Sequence, residues 1–177
     1  MSGEICFLDA TEAASHLDAL VELLRDSVNS GASVGFLPPL EAAEARAYWE
    51  GVVLELASPS RGLAVARVDG RIVGTAQLAE ADKANARHRA EVSKVLVHSS
   101  VRRQGLGAAL MRALEARARE RGKSTLVLDT REGDPSERLY QSLGWIRAGV
   151  IPRYAQSADG ALHGTVLYYK LLDETGR

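Results

Sequence analysis

The sequence predicts a mixed α/β domain built on a largely antiparallel sheet, and three observations carry that prediction. Segments of helical and strand periodicity alternate along 177 residues. Asp69-Gly70 joins two strand-like runs, the pattern of a tight hairpin. One strand–loop–helix–strand stretch, residues 90–129, has the length of a parallel, right-handed crossover. The length suits one domain, residues 1–177, whose core needs neither disulfide nor metal.

Each element has a local cause. Ile5–Leu8 supplies a first strand. Asp9 with Glu12 resembles a capping box, and Leu17, Leu20, Val21, Leu24 and Val28 continue at helical spacing to Asn29–Gly31. Gly31–Pro38 is a loop of small and apolar residues. A second helix is expected from Pro39 to about Ala57, since proline suits a first turn. Leu63–Val68 and Ile72–Ala79 form the hairpin, and the polar stretch Ala81–Arg89 is a loop. Glu91–Val97 is the next strand. Lys94 interrupts its apolar run and suggests a bulge. Gly107–Arg121 is a helix ended by Gly122. Leu126–Leu128 is a short buried strand. Ser136–Leu143 is a short helix capped by Asp134 or Ser136, and Trp145–Ile151 and Thr165–Leu171 are the closing strands.

Composition excludes several classes. Hydrophobic residues at 46% and charged residues at 25% are globular proportions, not those of a disordered chain. A net charge of −1 offers no global field for nucleic acid or an anionic membrane, so neither is an expected partner. Cys6 stands alone, which excludes an internal disulfide and a thiolate metal cluster. His16, His88, His98 and His163 lack ligand spacing, so no metal is expected. The start MSGEICFLDA lacks the basic and apolar regions of a signal peptide, and no apolar run approaches the ~18 residues of a membrane span. A cytoplasmic protein is expected.

The chemistry is concentrated after Val95-Leu96-Val97. A short turn leads into Arg102-Arg103-Gln104-Gly105-Leu106-Gly107 and then a helix. The first turn of a helix leaves N–H groups unpaired, and the helix dipole makes that end positive. Glycines let a phosphate approach the backbone, and the arginines add charge. This is a pyrophosphate site. A Walker loop needs Gly-Lys-Ser/Thr, which is missing. A dinucleotide fingerprint needs a third glycine where Leu110 stands, and the gap from Val97 to Gly105 is too long for its tight turn. Asp129 keeps a dinucleotide-dependent oxidoreductase as a minority reading, through the ribose-binding acid that such a site carries.

Arg102-x-x-Gly105-x-Gly107 after an apolar strand resembles motif A of the GNAT superfamily of N-acetyltransferases. Two helices before the hairpin, and Tyr140 with Gly144-Trp145 after the next strand, extend the resemblance over nearly the whole chain. Gly31–Phe36, Asp129-Thr130 and the tail with Ile151-Pro152, Tyr154-Ala155, Asp159-Gly160, Leu162-His163 and Thr165 are similar to the tabtoxin-resistance acetyltransferases. The resemblance implies a mostly antiparallel twisted sheet, a central parallel strand–helix–strand unit whose strands splay apart, and helices on both faces.

It also implies acetyl-CoA as co-substrate and an amine or hydroxyl of a small molecule as acceptor, with a toxin or antibiotic among the candidates. Backbone amides of Arg103, Gln104, Gly105, Leu106, Gly107 and Ala108 would hold the pyrophosphate beside Arg102. Backbone groups of Val95, Leu96 and Val97 would pair with the pantetheine arm as if it were an added strand. Tyr140 is the candidate acid for the leaving thiolate. Glu91 and Asp129 are candidates for base or ammonium binding, directly or through water. Phe36, Tyr154 and His163 are candidates for the acceptor pocket. Two other readings remain open: a non-catalytic acyl-CoA sensor, and an acetyltransferase acting on protein N-termini or lysines. The unpaired closing strands allow a monomer or a homodimer.

Overall fold

Seven strands form one sheet in the order β1-β2-β3-β4-β5-β7-β6 in a computed structural model that describes residues 3–172. The strands are β1 (Glu4–Leu8), β2 (Arg61–Val68), β3 (Arg71–Glu80), β4 (Arg89–Val97), β5 (Thr125–Arg131), β6 (Ile146–Gln156) and β7 (Leu162–Leu171). All neighbours are antiparallel except β4 and β5. Five helices accompany them: α1 (Ala10–Ser15), α2 (Leu17–Asn29), α3 (Ala42–Glu55), α4 (Leu106–Glu120) and α5 (Ser136–Ser142). Helices α1 to α3 pack on one face around Leu20, Leu24, Trp49 and Leu63. Helices α4 and α5 pack on the other around Leu110, Leu114, Leu126 and Tyr168. Each face thus buries its own apolar cluster, which is why β2 has buried residues on both sides.

The hairpin is as expected. Asp69 (φ 50°) and Gly70 (φ 76°) both take left-handed backbone, the geometry whose twist matches two antiparallel strands. The Asp9–Glu12 capping box is present in both directions. The single first helix is a correction, because the chain breaks at His16. There the Ser15 hydroxyl donates to the Glu12 carbonyl at 2.8 Å, and the His16 ring contacts that same oxygen at 2.8 Å. Side chains that compete for a helix carbonyl loosen the next turn. The second helix starts at Ala42, not Pro39. Leu40 is buried and its backbone is already engaged, since its N–H donates to Asn29 Oδ1 and its carbonyl accepts from Arg25 Nε.

Further differences are local. The Ala81–Arg89 loop holds a 3₁₀ turn at Ala84–Ala86, and the following strand starts two residues earlier than expected. Neither Asp134 nor Ser136 caps α5. Asp134 accepts from Arg131 at 2.9 Å, and Ser136 Oγ pairs with Thr130 Oγ1 at 2.7 Å, so both side chains are committed to β5. The last two strands are longer than expected, because β6 continues past Ile151 through a bulge with Arg153 at φ 55°.

Candidate active site

The central feature is the place where pairing stops. Strands β4 and β5 match over only three rungs, Arg89 with Thr125, Ala90 with Leu126 and Glu91 with Val127. Beyond them the strands part. On the other side of β4 the register with β3 shifts between Thr75 and Gln77, opposite Lys94, whose φ is 49°. This is the expected bulge. The Thr75 hydroxyl donates to the Lys94 carbonyl at 3.1 Å and holds it. The gap between the strands opens into a cleft of about 690 Å³.

One end of the cleft is the start of α4. Arg103 (φ 62°) and Gly105 (φ 84°) turn the chain, and Gly105 sits at the N-cap with no side chain capping the helix. Ala109 is the first residue to donate back into the turn, to the Gly105 carbonyl. The preceding amides, from Arg103 to Ala108, find no protein acceptor among the described residues. They form an unfilled set of donors at a helix N-terminus, suited to an anion. Gly107 also packs closely on α5: a Cβ there would come 3.1 Å from Leu139 Cδ2, so that side chain would have to shift by a few tenths of an ångström. Leu106 points into the core.

Arg102 has a different task from the one its charge suggests. Its Nε donates to the Val97 carbonyl at 3.0 Å and its Nη2 to Ser30 Oγ at 2.6 Å. Arg131 likewise donates to the Gly31 carbonyl at 3.1 Å. Two arginines therefore tie the Ser30–Val34 segment to both walls of the cleft, which that segment lines. Of Gly31–Phe36, the residues Gly31 to Val34 line the cleft. Val95, Leu96 and Val97 line the cleft as well, with the Leu96 side chain turned into the core.

Tyr140 closes the cleft from α5. Its ring is buried and packs against Trp145 at 6.2 Å and Tyr168 at 5.9 Å between centroids. Its hydroxyl has no hydrogen-bond partner among the described residues, and the residue lines the cleft. Burial pushes the phenol pKa up, with the charges of Asp129 and Asp134 adding to the effect. The group is therefore a protonated donor throughout the physiological range. Helix α5 is itself braced: Tyr168 donates to Glu137 Oε2 at 2.6 Å and accepts from Gln141 at 3.0 Å.

Asp129 is exposed and lines the cleft from β5, where its Oδ2 accepts from Thr165 at 2.8 Å. Glu91 lies at the last paired rung. It is exposed and is not part of the cleft lining, though its charge acts on Lys94. Phe36 packs edge-on against Tyr48 at 5.4 Å and stands behind the lining. Tyr154 and His163 lie on the β6–β7 hairpin and do not line the cleft. Sequence reasoning missed Lys94 as a cleft residue, because a charge in an apolar strand signalled only the bulge. Among the described residues no cluster of His, Cys, Asp and Glu is arranged to hold a metal.

Comparison with known proteins agrees with this geometry. Residues 18–145 match the acetyltransferase (GNAT) family. The chain is 36% identical over 118 residues to an uncharacterized N-acetyltransferase from the hisH-hisA intergenic region of Azospirillum brasilense, an alignment covering 66% of this chain and 68% of that one. Among solved structures it resembles an N-acetyltransferase from Staphylococcus aureus Mu50, with TM-score 0.80, 19% identity, and coverage of 98% of this chain and 100% of that one. It also resembles the yncA protein of Salmonella typhimurium with its cofactor acetyl-CoA, with TM-score 0.77, 23% identity, and coverage of 100% and 98%. The ribosomal-protein-S18-alanine N-acetyltransferase of Escherichia coli is similar too, with TM-score 0.72, 19% identity, and coverage of 99% and 97%. These likenesses establish the fold, a mixed seven-stranded sheet with one parallel pair. The family match establishes more: this chain belongs to the acetyltransferase (GNAT) family, enzymes whose acetyl donor is acetyl-CoA.

Proposed function

We propose that the protein transfers the acetyl group of acetyl-CoA directly to the amine of a small molecule within the splayed cleft. The observation that carries this is the unpartnered Tyr140 hydroxyl, which lines the same cleft as the unpaired amides at the start of α4. The amides of Arg103 to Ala108 take the pyrophosphate, and Arg102 holds the loop that presents them. The open edge of β4 at Val95 and Val97 takes the amide groups of the pantetheine arm. The neutral amine attacks the thioester carbon, the C–S bond breaks, and the sulfur leaves as thiol. Tyr140 supplies the proton to sulfur. Asp129 holds the incoming ammonium, which releases one proton to solvent to give the neutral amine. After attack the nitrogen gives a second proton to Asp129, directly or through water, and a proton returned through water restores the Tyr140 phenol. Glu91, at the rim, supports the positive charge nearby.

The similarity to tabtoxin-resistance enzymes favours a toxin or antibiotic as acceptor, and a cytoplasmic enzyme fits the free thiol of Cys6. Among the described residues no helix is long and apolar enough to cross a membrane. The test is calorimetry with acetyl-CoA, followed by thiol release across an amine panel. In Tyr140→Phe, turnover should fall about a hundredfold with coenzyme affinity kept. Absence of acetyl-CoA binding, or full turnover in Tyr140→Phe, would overturn the mechanism.

A further inference from the structure

Lys94 lines the cleft, and the acetyl-transfer chemistry above gives its ammonium no role. It is a lysine in left-handed backbone, a conformation that costs an L-residue about 1–2 kcal/mol. Glycine or asparagine would hold the bulge with less strain, so the side chain itself needs a reason. Its ammonium lies 5.4 Å from the centre of the Tyr48 ring. A Cβ at Gly35 would be 3.9 Å from Nζ, so the loop before α3 leaves room around it. It forms no hydrogen bond and no ion pair among the described residues. Burial lowers its pKa. The carboxylates of Asp129 and Glu91 act in the opposite direction without touching it, and Arg61 adds to the lowering. A half-buried cation without a counterion is unfavourable unless a ligand supplies one.

Across the cleft stands Asp129, with one carboxylate oxygen taken by Thr165. Among the described residues that line this opening, Arg102 and Arg131 are hydrogen-bonded, Asp134 pairs with Arg131 and Arg103 lies in the turn before α4, which leaves Lys94 as the unpaired cation beside Asp129. We infer that the acceptor is an amino carboxylate, an amino acid or a small derivative of one, whose carboxylate pairs with Lys94 while its amine is held at Asp129. This inference rests on the reading of the cleft as the acetyl-transfer site. A diamine, an aminoglycoside or a protein lysine would bring a second cation toward Lys94 and Arg61 and leave Lys94 unpaired. The Tyr48 ring faces the Lys94 ammonium, and Gln77 fixes that ring by donating to its hydroxyl at 2.9 Å.

The experiment compares free amino acids with their carboxamides and with 1,4-diaminobutane as acceptors, using wild type, Lys94→Gln, Lys94→Asn and Lys94→Glu. Asparagine tolerates the left-handed backbone and guards against loss of the bulge. Acetyl-CoA affinity by calorimetry reports whether each variant keeps its donor site. The expected result is a kcat/KM for a free acid roughly tenfold to a hundredfold above its amide in wild type. That preference should vanish in Lys94→Gln and Lys94→Asn through a higher KM, and shift toward the diamine in Lys94→Glu. Equal use of acid and amide by wild type, or a preference for the diamine, overturns the inference. So does a fall in kcat at unchanged KM in Lys94→Gln, which would make Lys94 part of the chemistry. If wild type binds acetyl-CoA and acetylates only other amines, this inference fails and the acetyl-transfer reading stands. If wild type binds no acetyl-CoA, the acetyl-transfer reading itself has failed.

Discussion

Removing one carboxylate in the core beside Tyr140 should show how firmly that tyrosine is held. Glu115 on α4 is 5% exposed and sits under Trp145, which is 3% exposed. Glu115 Oε1 accepts from the Trp145 indole at 3.0 Å, and Oε2 accepts from the Lys170 ammonium at 2.8 Å. Lys170 also donates to the Leu143 carbonyl at 2.6 Å. The carboxylate therefore joins α4, β7 and the turn after α5. In Glu115→Ala the indole N–H is buried without an acceptor, which costs about 1–3 kcal/mol. The ammonium loses its counterion, and breaking a buried pair in this way costs about 3–5 kcal/mol in all. Lys170 keeps Leu143 and some access to water, so the lower end applies, about 3 kcal/mol. For a chain of this length that is roughly 6–12 °C in melting temperature. Urea midpoints and thermal scans measure it. In Glu115→Leu combined with Lys170→Met and Trp145→Phe, the carboxylate, ammonium and indole N–H are all removed, only the Leu143 carbonyl loses a donor, and most of the stability should return. A loss under ~1 kcal/mol in Glu115→Ala, or a triple variant as unstable as the sum of its parts, would refute the reasoning.

Three further outcomes are expected. Gly105→Ala meets no atom within 4 Å, so its cost is the backbone strain of φ 84°, about 1–2 kcal/mol; calorimetry should show acetyl-CoA affinity falling about tenfold as the amides turn away. Arg102→Ala frees both Val97 and Ser30 and should weaken acetyl-CoA by a similar factor of about ten; Arg102→Lys should not restore it, since an ammonium cannot reproduce two directed guanidinium bonds. The folded Tyr140 pKa lies above its ordinary 10.0, so the neutral phenol persists below 10 and is lost only as pH climbs through the raised value. A pH profile of kcat should therefore have no falling limb from this group below pH 10, and a limb there that disappears in Tyr140→Phe would contradict the assignment.

Most of the sheet could be foreseen because its causes are local. Asp69-Gly70 demands left-handed backbone at two successive residues, and that turn fixes the β2–β3 register as far as the bulge between Ala66 and Arg67. Gly105 and the arginines advertise a helix N-terminus before any contact is known. What escaped the sequence depends on contacts between distant residues. Arg102 looked like a phosphate ligand, and only folding brings Ser30 within reach of its guanidinium. The start of α3 moved because Asn29 and Arg25 on α2 claim the backbone of Leu40. Asp134 and Ser136 resembled caps, yet Arg131 and Thr130 occupy them. Tyr154 and His163 fall in a tail segment that the fold places away from the cleft, a matter of where β6 and β7 run rather than of residue type.

In the proposed arrangement the bulge at Lys94 accounts for donor and acceptor geometry together. Unpaired strand edges are normally a hazard, since any extended chain can add to them. Here the two open edges of β4 and β5 face one another across a cleft, where a slender chain bearing amides can enter and a further strand cannot. Arg102 occupies the Val97 carbonyl at one end of the open edge. The last β4–β5 rung, Glu91 with Val127, ends it at the other. In the proposed arrangement the pantetheine arm lies between these limits, which sets the thioester near the level of Lys94, Asp129 and Tyr140. The extra residue that disrupts β4 is also Lys94, the unpaired cation that lines the cleft. A substitution that straightened β4 would therefore remove the coenzyme's edge and the acceptor's counterion together. Lys94→Gln should keep the first and remove only the second, which is why the single side-chain change separates donor binding from acceptor choice.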